Sequence, residues 1–331
     1  MRFYTLILSF FLCSSAATAQ ELFPLTEPAS SIPKGVFGFR SIVQLYQERT
    51  VTREMLAERI MYGVTSKLSV EVTVAGSNHH DTILPNNLLT HTHASNGAPI
   101  SSATTPTRGI PYPFLFAGFN FYSKYRILSL DGEKSHFRLA VFGDYSTVKT
   151  AHDEAEPGLM SDDGGWEAGL IATKLIDRWA VSLTTGYIQP VFSFYEVQSQ
   201  YVSPPQTTQI WYGRAVEYDL SIGYRIFPKK YTNDYSEANF NAYVEFIGKT
   251  YDSATVKYDG AIAAIKTGLL QRGTYIEMHP GIQWIVNSNT RFEISVGYPV
   301  LNQSFVHFYP VYTVAFQRYF YFVKKQSPKP E

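Results

Sequence analysis

Apolar and polar side chains alternate with a period of two from residue 36 to residue 322, and a chain patterned this way is committed to β-sheet. In Leu68-Ser69-Val70-Glu71-Val72-Thr73-Val74 every even position is aliphatic, while the odd positions carry Ser, Glu and Thr. Successive strand side chains point to opposite faces, so each such segment has one dry face and one wet face. Repeated along an exported chain, the pattern predicts a sheet closed into a barrel. The remaining question is which face is outside.

The periodicity predicts strands over residues 36–47, 53–64, 68–75, 113–127, 137–147, 166–176, 179–188, 210–227, 240–251, 274–286, 291–298 and 305–322. Residues 77–110, 149–165, 189–209 and 252–273 read as long polar connections, with one or two helical turns expected in 261–270. Thr65-Ser66-Lys67, Asp131-Gly132, Asp177-Arg178 and 287–290 read as short turns. Short and long connections mostly alternate, and the strand number is even. Outer-membrane barrels have short periplasmic turns and longer extracellular loops. The expected fold is therefore all-β: a transmembrane antiparallel up-and-down barrel of about twelve strands.

A soluble barrel has the same alternation with its apolar face inward. Three features favour the inverted arrangement. The polar faces carry full charges well inside strands, as expected of a wet lumen. The opposite faces are nearly free of charge, and a lysine or arginine facing lipid costs roughly 2–4 kcal/mol at mid-membrane. The strands also match the roughly 9–11 residues of a tilted crossing. The 24 Tyr, 23 Phe and 4 Trp supply rings for interfacial girdles.

The ends fit export. Arg2 starts a segment whose apolar core, Phe3 to Cys13, precedes Ala17-Thr18-Ala19, a small-x-small cleavage pattern. Residues 1–19 read as a signal peptide cleaved near Ala19. Leu12 before Cys13 argues against a lipoprotein, and Cys13, the single cysteine, leaves with the signal. Residues 20–35 hold three prolines and read as an irregular segment. Phe316-Gln317-Arg318-Tyr319-Phe320-Tyr321-Phe322 resembles the aromatic last strand that insertion machinery reads, although a polar tail, 323–331, follows it. A formal net charge of zero gives no argument for nucleic acid.

Certain motifs resemble a known group. Gly63-Val64-Thr65-Ser66-Lys67-Leu68-Ser69-Val70-Glu71-Val72 resembles a turn-strand of the phenol-degradation (meta-pathway, MetA-type) outer-membrane barrel family. Residues 165–186, with the Asp177-Arg178-Trp179 turn, resemble its central hairpin. Residues 291–298, ending in Gly297-Tyr298-Pro299, resemble its penultimate strand. The resemblance spans most of 36–322 and implies passage of small, aromatic or apolar compounds.

The candidate lumen-lining residues are Arg40, Glu71, Lys124, Arg126, Arg138, Glu217, Asp219, Arg225, Glu245, Glu277, His279, Arg291 and Glu293. They would form either a selectivity path for a solute or a structural ion-pair network filling a narrow barrel. Glu217 and Asp219 share a face and need a cation nearby to stay ionised together; by parity Arg126, Arg138, Arg225 and Arg291 qualify. His93-Ala94-Ser95-Asn96-Gly97 resembles the His-x-Ser-Asn-Gly signature of outer-membrane phospholipase and deacylase barrels, where a histidine activates a serine. Here it lies mid-loop with no apolar frame. His79, His80, His91 and His93 share that loop, but their spacing matches no rigid metal site.

The expectation is a channel or uptake protein of a Gram-negative outer membrane, passing small molecules by diffusion, with loops and residues 21–34 as gates. No cofactor, metal or catalytic residue is implied. Its partners would be outer-membrane lipid, the assembly machinery and a small solute. The alternatives are a structural or adhesive barrel with a closed lumen, and a lipid hydrolase using His93 and Ser95.

Overall fold

The computed structural model describes residues 23–48, 50–78, 111, 113–147, 164–191, 193–198, 206–230, 238–262, 271–302 and 309–321. The expected signal peptide, residues 1–19, and the polar tail, 323–331, lie outside these residues.

The described residues form sixteen strands. They are β1 (Val36–Glu48), β2 (Val51–Gly63), β3 (Leu68–Ser77), β4 (Leu115–Asp131), β5 (Ser135–Ser146), β6 (Gly165–Ile176), β7 (Trp179–Pro190) and β8 (Ser193–Gln198). They continue as β9 (Gln206–Trp211), β10 (Ala215–Phe227), β11 (Asn239–Tyr251), β12 (Thr255–Tyr258), β13 (Ala261–Ile262), β14 (Gly273–Val286), β15 (Thr290–Asn302) and β16 (Val311–Tyr321). Twelve of them close a barrel in the order β1-β16-β15-β14-β11-β10-β7-β6-β5-β4-β3-β2. Closure is made by β1 against β16, antiparallel from Val36↔Tyr321 to Leu45↔Tyr312.

The other four strands pair as β13-β12-β9-β8. They come from the connections β7–β10 and β11–β14, so two expected loops combine into a small sheet at one end of the barrel. Two segments depart from the pattern expected of the sequence. The expected strand 210–227 is two strands, because β9 leaves the barrel wall and pairs with β12 through Thr255↔Trp211. Ala261 and Ile262 are extended, not helical, and 263–270 lie outside the described residues. Alternation reads the same in both sheets, so it could not show where one ended.

The barrel is apolar outside and polar inside. Leu183 on β7 is 56% exposed, whereas Arg40 on β1 is 1% exposed. Rings gather at both ends of the outer face. Trp179 and Tyr224 lie 4.6 Å apart at the short-turn end, followed around the wall by Trp284, Phe292 and Phe316. Trp166 and Tyr187, 5.8 Å apart, mark the long-loop end. Such belts sit where a membrane meets water.

Outward charges are few. Lys174 and Arg318 lie within three residues of the short-turn ends of β6 and β16, where long side chains reach the interface. Glu58, midway along β2, accepts a hydrogen bond from Ser41 Oγ on β1 at 2.7 Å. This keeps a carboxylate partnered on the lipid side.

Short turns join β2–β3, β4–β5, β6–β7 and β14–β15 at one end. Two connections break the pattern: β1–β2 is short at the long-loop end, and β10–β11 spans residues 228–238 at the other. Left-handed residues Asp177 (φ 51°), Asn287 (φ 50°) and Ser288 (φ 51°) make two of the short turns. Asn and Asp tolerate that region best among non-glycine residues.

Leu183→Arg should lower barrel stability by about 2–4 kcal/mol, because it sets a cation against lipid near mid-strand. Reversible denaturant unfolding in phospholipid vesicles measures this. An unchanged midpoint would contradict a lipid-facing wall.

Candidate lumenal site

Residues 23–34, ahead of β1, run inside the barrel. An irregular segment has backbone N–H and C=O groups that need partners when buried, and the wall supplies them. Leu25 and Thr26 donate their amides to Glu245 on β11, at 3.1 and 2.9 Å. Thr26 Oγ1 adds contacts to Glu245 at 2.9 Å and to Ser221 Oγ at 2.6 Å. The Ala29 amide donates to Thr173 Oγ1 at 2.8 Å. Lys124 donates to the Pro28 carbonyl at 2.8 Å, and Arg40 donates to the Pro24 carbonyl.

Charge holds the middle of the segment. Glu27 pairs with Arg59 at 2.8 Å and with Lys124 at 2.9 Å. Arg59 also reaches Glu71 at 3.3 Å. Arg138 donates to Ser30 Oγ at 2.9 Å. Hydrogen bonds to charged groups contribute roughly 1.5–3 kcal/mol each, so the docking is substantial.

Apolar contacts fix the position. Phe23 packs on Ala180 and Tyr243, Ala29 on Ala140, Phe142 and Ile171, and Ile32 on Met61 and Tyr319. The wall is lined by small residues where the segment passes. At Gly63 a Cβ would lie 2.0 Å from the Pro33 carbonyl oxygen, so a larger residue there excludes the segment.

Between this segment and the long-loop end lies a cavity of about 150 Å³. Its floor is Pro24, Leu25, Thr26 and Glu27. One wall carries Asp144 of β5, Glu167 of β6, and Glu217 and Asp219 of β10. Asp144 and Glu167 are direct cross-strand partners, and Glu217 faces Lys249 of β11. Tyr122, Phe142 and Tyr275 contribute rings, and Glu277 and His279, 3.0 Å apart, complete the lining.

The sequence-derived candidates divide into three groups. Arg40, Glu71, Lys124, Arg138 and Glu245 surround residues 23–34 in the contacts above. Arg40 also pairs with Glu293 at 2.7 Å; Glu293 accepts from Gln283 at 2.6 Å, and Arg291 donates to Gln317. Glu217, Asp219, Glu277 and His279 line the cavity. Arg126 and Arg225 lie at the short-turn rim, donating to the carbonyls of Ser66 at 2.8 Å and Pro228 at 3.1 Å.

The expected partner of Glu217 needs correction, since register brings Lys249 opposite it rather than one of the four arginines. Glu27, Arg59, Glu167 and the buried Glu48–Arg53 pair were not singled out from sequence. Glu27 sits in a stretch without periodicity, so it carried no signal; Glu167 is a lone acid among small and aliphatic residues. The motif with His93 and Ser95, together with His79, His80 and His91, lies outside the described residues.

No family model and no curated protein matches this chain. Solved structures do. An outer-membrane channel from Pseudomonas putida F1 superposes with a TM-score of 0.50 at 11% identity, covering 89% of this chain and 100% of that one. The NanC porin gives 0.39 at 8% identity, covering 87% and 100%. The CymD monoaromatic hydrocarbon channel gives 0.31 at 11% identity, covering 88% and 90%. The likeness to the Pseudomonas protein is one of barrel fold.

Gly63→Val should expel residues 23–34. Cys13 is the single cysteine, so Ala29→Cys combined with Cys13→Ser places one reporter thiol on the segment. Maleimide should modify it slowly on the parent background and at least tenfold faster with Gly63→Val; equal rates would contradict the close packing at Gly63.

Proposed function

We propose that this chain is an outer-membrane channel for small solutes, with residues 23–34 as the stopper of its lumen. One observation carries the reading: a closed barrel with a lipid-compatible outside holds a polar chamber, and a short, non-sheet segment floors it. Hydrogen bonds and ion pairs hold that segment, with a few apolar anchors and no strand pairing. Such contacts exchange with water or solute more readily than a strand leaves a sheet. In this reading the apolar belt is solvated by outer-membrane lipid, and the barrel is inserted by the outer-membrane assembly machinery.

The motif resemblance to the phenol meta-pathway barrels favours single-ring solutes, and the chamber agrees in size. A cavity on the order of 150 Å³ accepts one benzene-sized molecule. Tyr122, Phe142, Ile42 and Ile171 give it apolar surface. Nothing in this scheme requires a reaction; the solute diffuses past the displaced segment and leaves on the other side.

Liposome swelling and planar-bilayer conductance test the proposal. The full chain should pass small solutes slowly, and deletion of residues 24–33 should raise the rate at least tenfold. If both forms are impermeable, the channel reading fails and a closed structural or adhesive barrel replaces it.

A further inference from the structure

The acidic wall of the chamber is poorly explained as a structural network. Asp144 and Glu167 are paired directly across β5 and β6, and like charges in that relation destabilise a sheet. Glu217 and Asp219 stand on the same face of β10, and Glu167 is within electrostatic reach of both. Against these four carboxylates the same wall offers Lys249. Across the chamber, Arg59 is engaged by Glu27 and Glu71, and His279 by Glu277.

A second feature is independent of the charge count. Glu167 is 5% exposed and Asp219 is 7% exposed. Glu167 and Asp219 line the chamber, and Glu167 Oε1 and Asp219 Oδ1 have no hydrogen-bond partner among the described residues. Buried carboxylate oxygens normally accept hydrogen bonds. Gly186 sharpens the placement. A Cβ there would lie 1.8 Å from Glu167 Oε1, so the absent side chain lets this carboxylate lean across β7 toward Glu217.

We infer that the chamber is a binding site for a compact organic cation, an ammonium or guanidinium group carried on a single ring. Its N–H groups would donate to Glu167 and Asp219, and its ring would lie against Tyr122, Phe142 and Tyr275. Aromatic faces attract such cations as well as packing their rings. A bare metal ion is a poorer occupant: among the described residues no three His, Cys, Asp or Glu side chains converge to hold one. The inference rests on the channel reading, and makes the bound cation the solute that the channel passes.

Isothermal titration of the detergent-solubilised full chain with benzylammonium, benzyl alcohol and benzoate tests it. These probes share a ring and differ in charge. Benzylammonium should bind at least tenfold more tightly than benzyl alcohol, and benzoate should not bind. Glu167→Gln combined with Glu217→Gln should weaken benzylammonium at least tenfold. Gly186→Ala should weaken it too, although every carboxylate is retained.

Heat-modifiable gel mobility checks that each variant is folded, with Asp144→Asn as the substitute for one that is not. Equal binding of the three probes, no binding of benzylammonium, or unchanged affinity in folded variants would overturn the inference. Benzylammonium binding without liposome permeation would sink the channel reading alone. Permeation without any preference for charge would sink the cation site alone.

Discussion

Everything in this molecule follows from pairing β1 with β16. A backbone facing hydrocarbon has no water to satisfy its N–H and C=O groups, so a spanning sheet must leave no open edge. Closing the ring fixes one face against lipid and turns the other onto itself. The inner face then holds Arg40, Lys124, Glu245 and Glu293 at a few per cent exposure or less. In that space each charge needs a counter-charge or a hydrogen bond. The barrel answers with its own chain: residues 23–34 bring Glu27 and a run of backbone groups to where the wall charges can use them.

The fold was legible because the barrel repeats one simple rule. Leu68 to Val74 shows its dry and wet faces without any help from neighbouring strands, and the lumenal position of Lys124 or Glu245 follows from parity. What parity does not contain is register. Glu217 and Lys249 lie 32 positions apart in sequence and meet because β10 and β11 pair at that offset. The same gap explains the misplaced partners of Glu217 and the split of the segment 210–227. Glu27 and Glu167 escaped notice for another reason: neither belongs to a charged pattern, and each gains its significance only from what the closed ring sets beside it.

The lumen is divided by residue size as well as by charge. In the lower half, inward Ala57, Ala140, Ala180, Gly63 and Gly223 leave room for the entering segment, and the polar residues reach across to grip it. Nearer the long loops, Phe142 and Tyr275 line the chamber together with the carboxylates. One barrel thus contains a region filled by its own sequence and a region that this segment leaves open. Arg59 stands at the boundary, bonded both to Glu27 of the segment and to Glu71 of the wall. Withdrawal of the segment therefore still leaves that guanidinium with a carboxylate.

The contact between Thr26 and Glu245 joins residues 219 positions apart. Other anchors of the same segment lie on β2, β4, β5 and β6, so its seat exists only after most of the wall has been assembled. Closing so long a loop costs entropy before the contact repays it. Until that wall exists the segment has no seat, so a barrel closed ahead of its docking would have an unobstructed bore. Biogenesis by that route would visit the very arrangement that transport would have to recover.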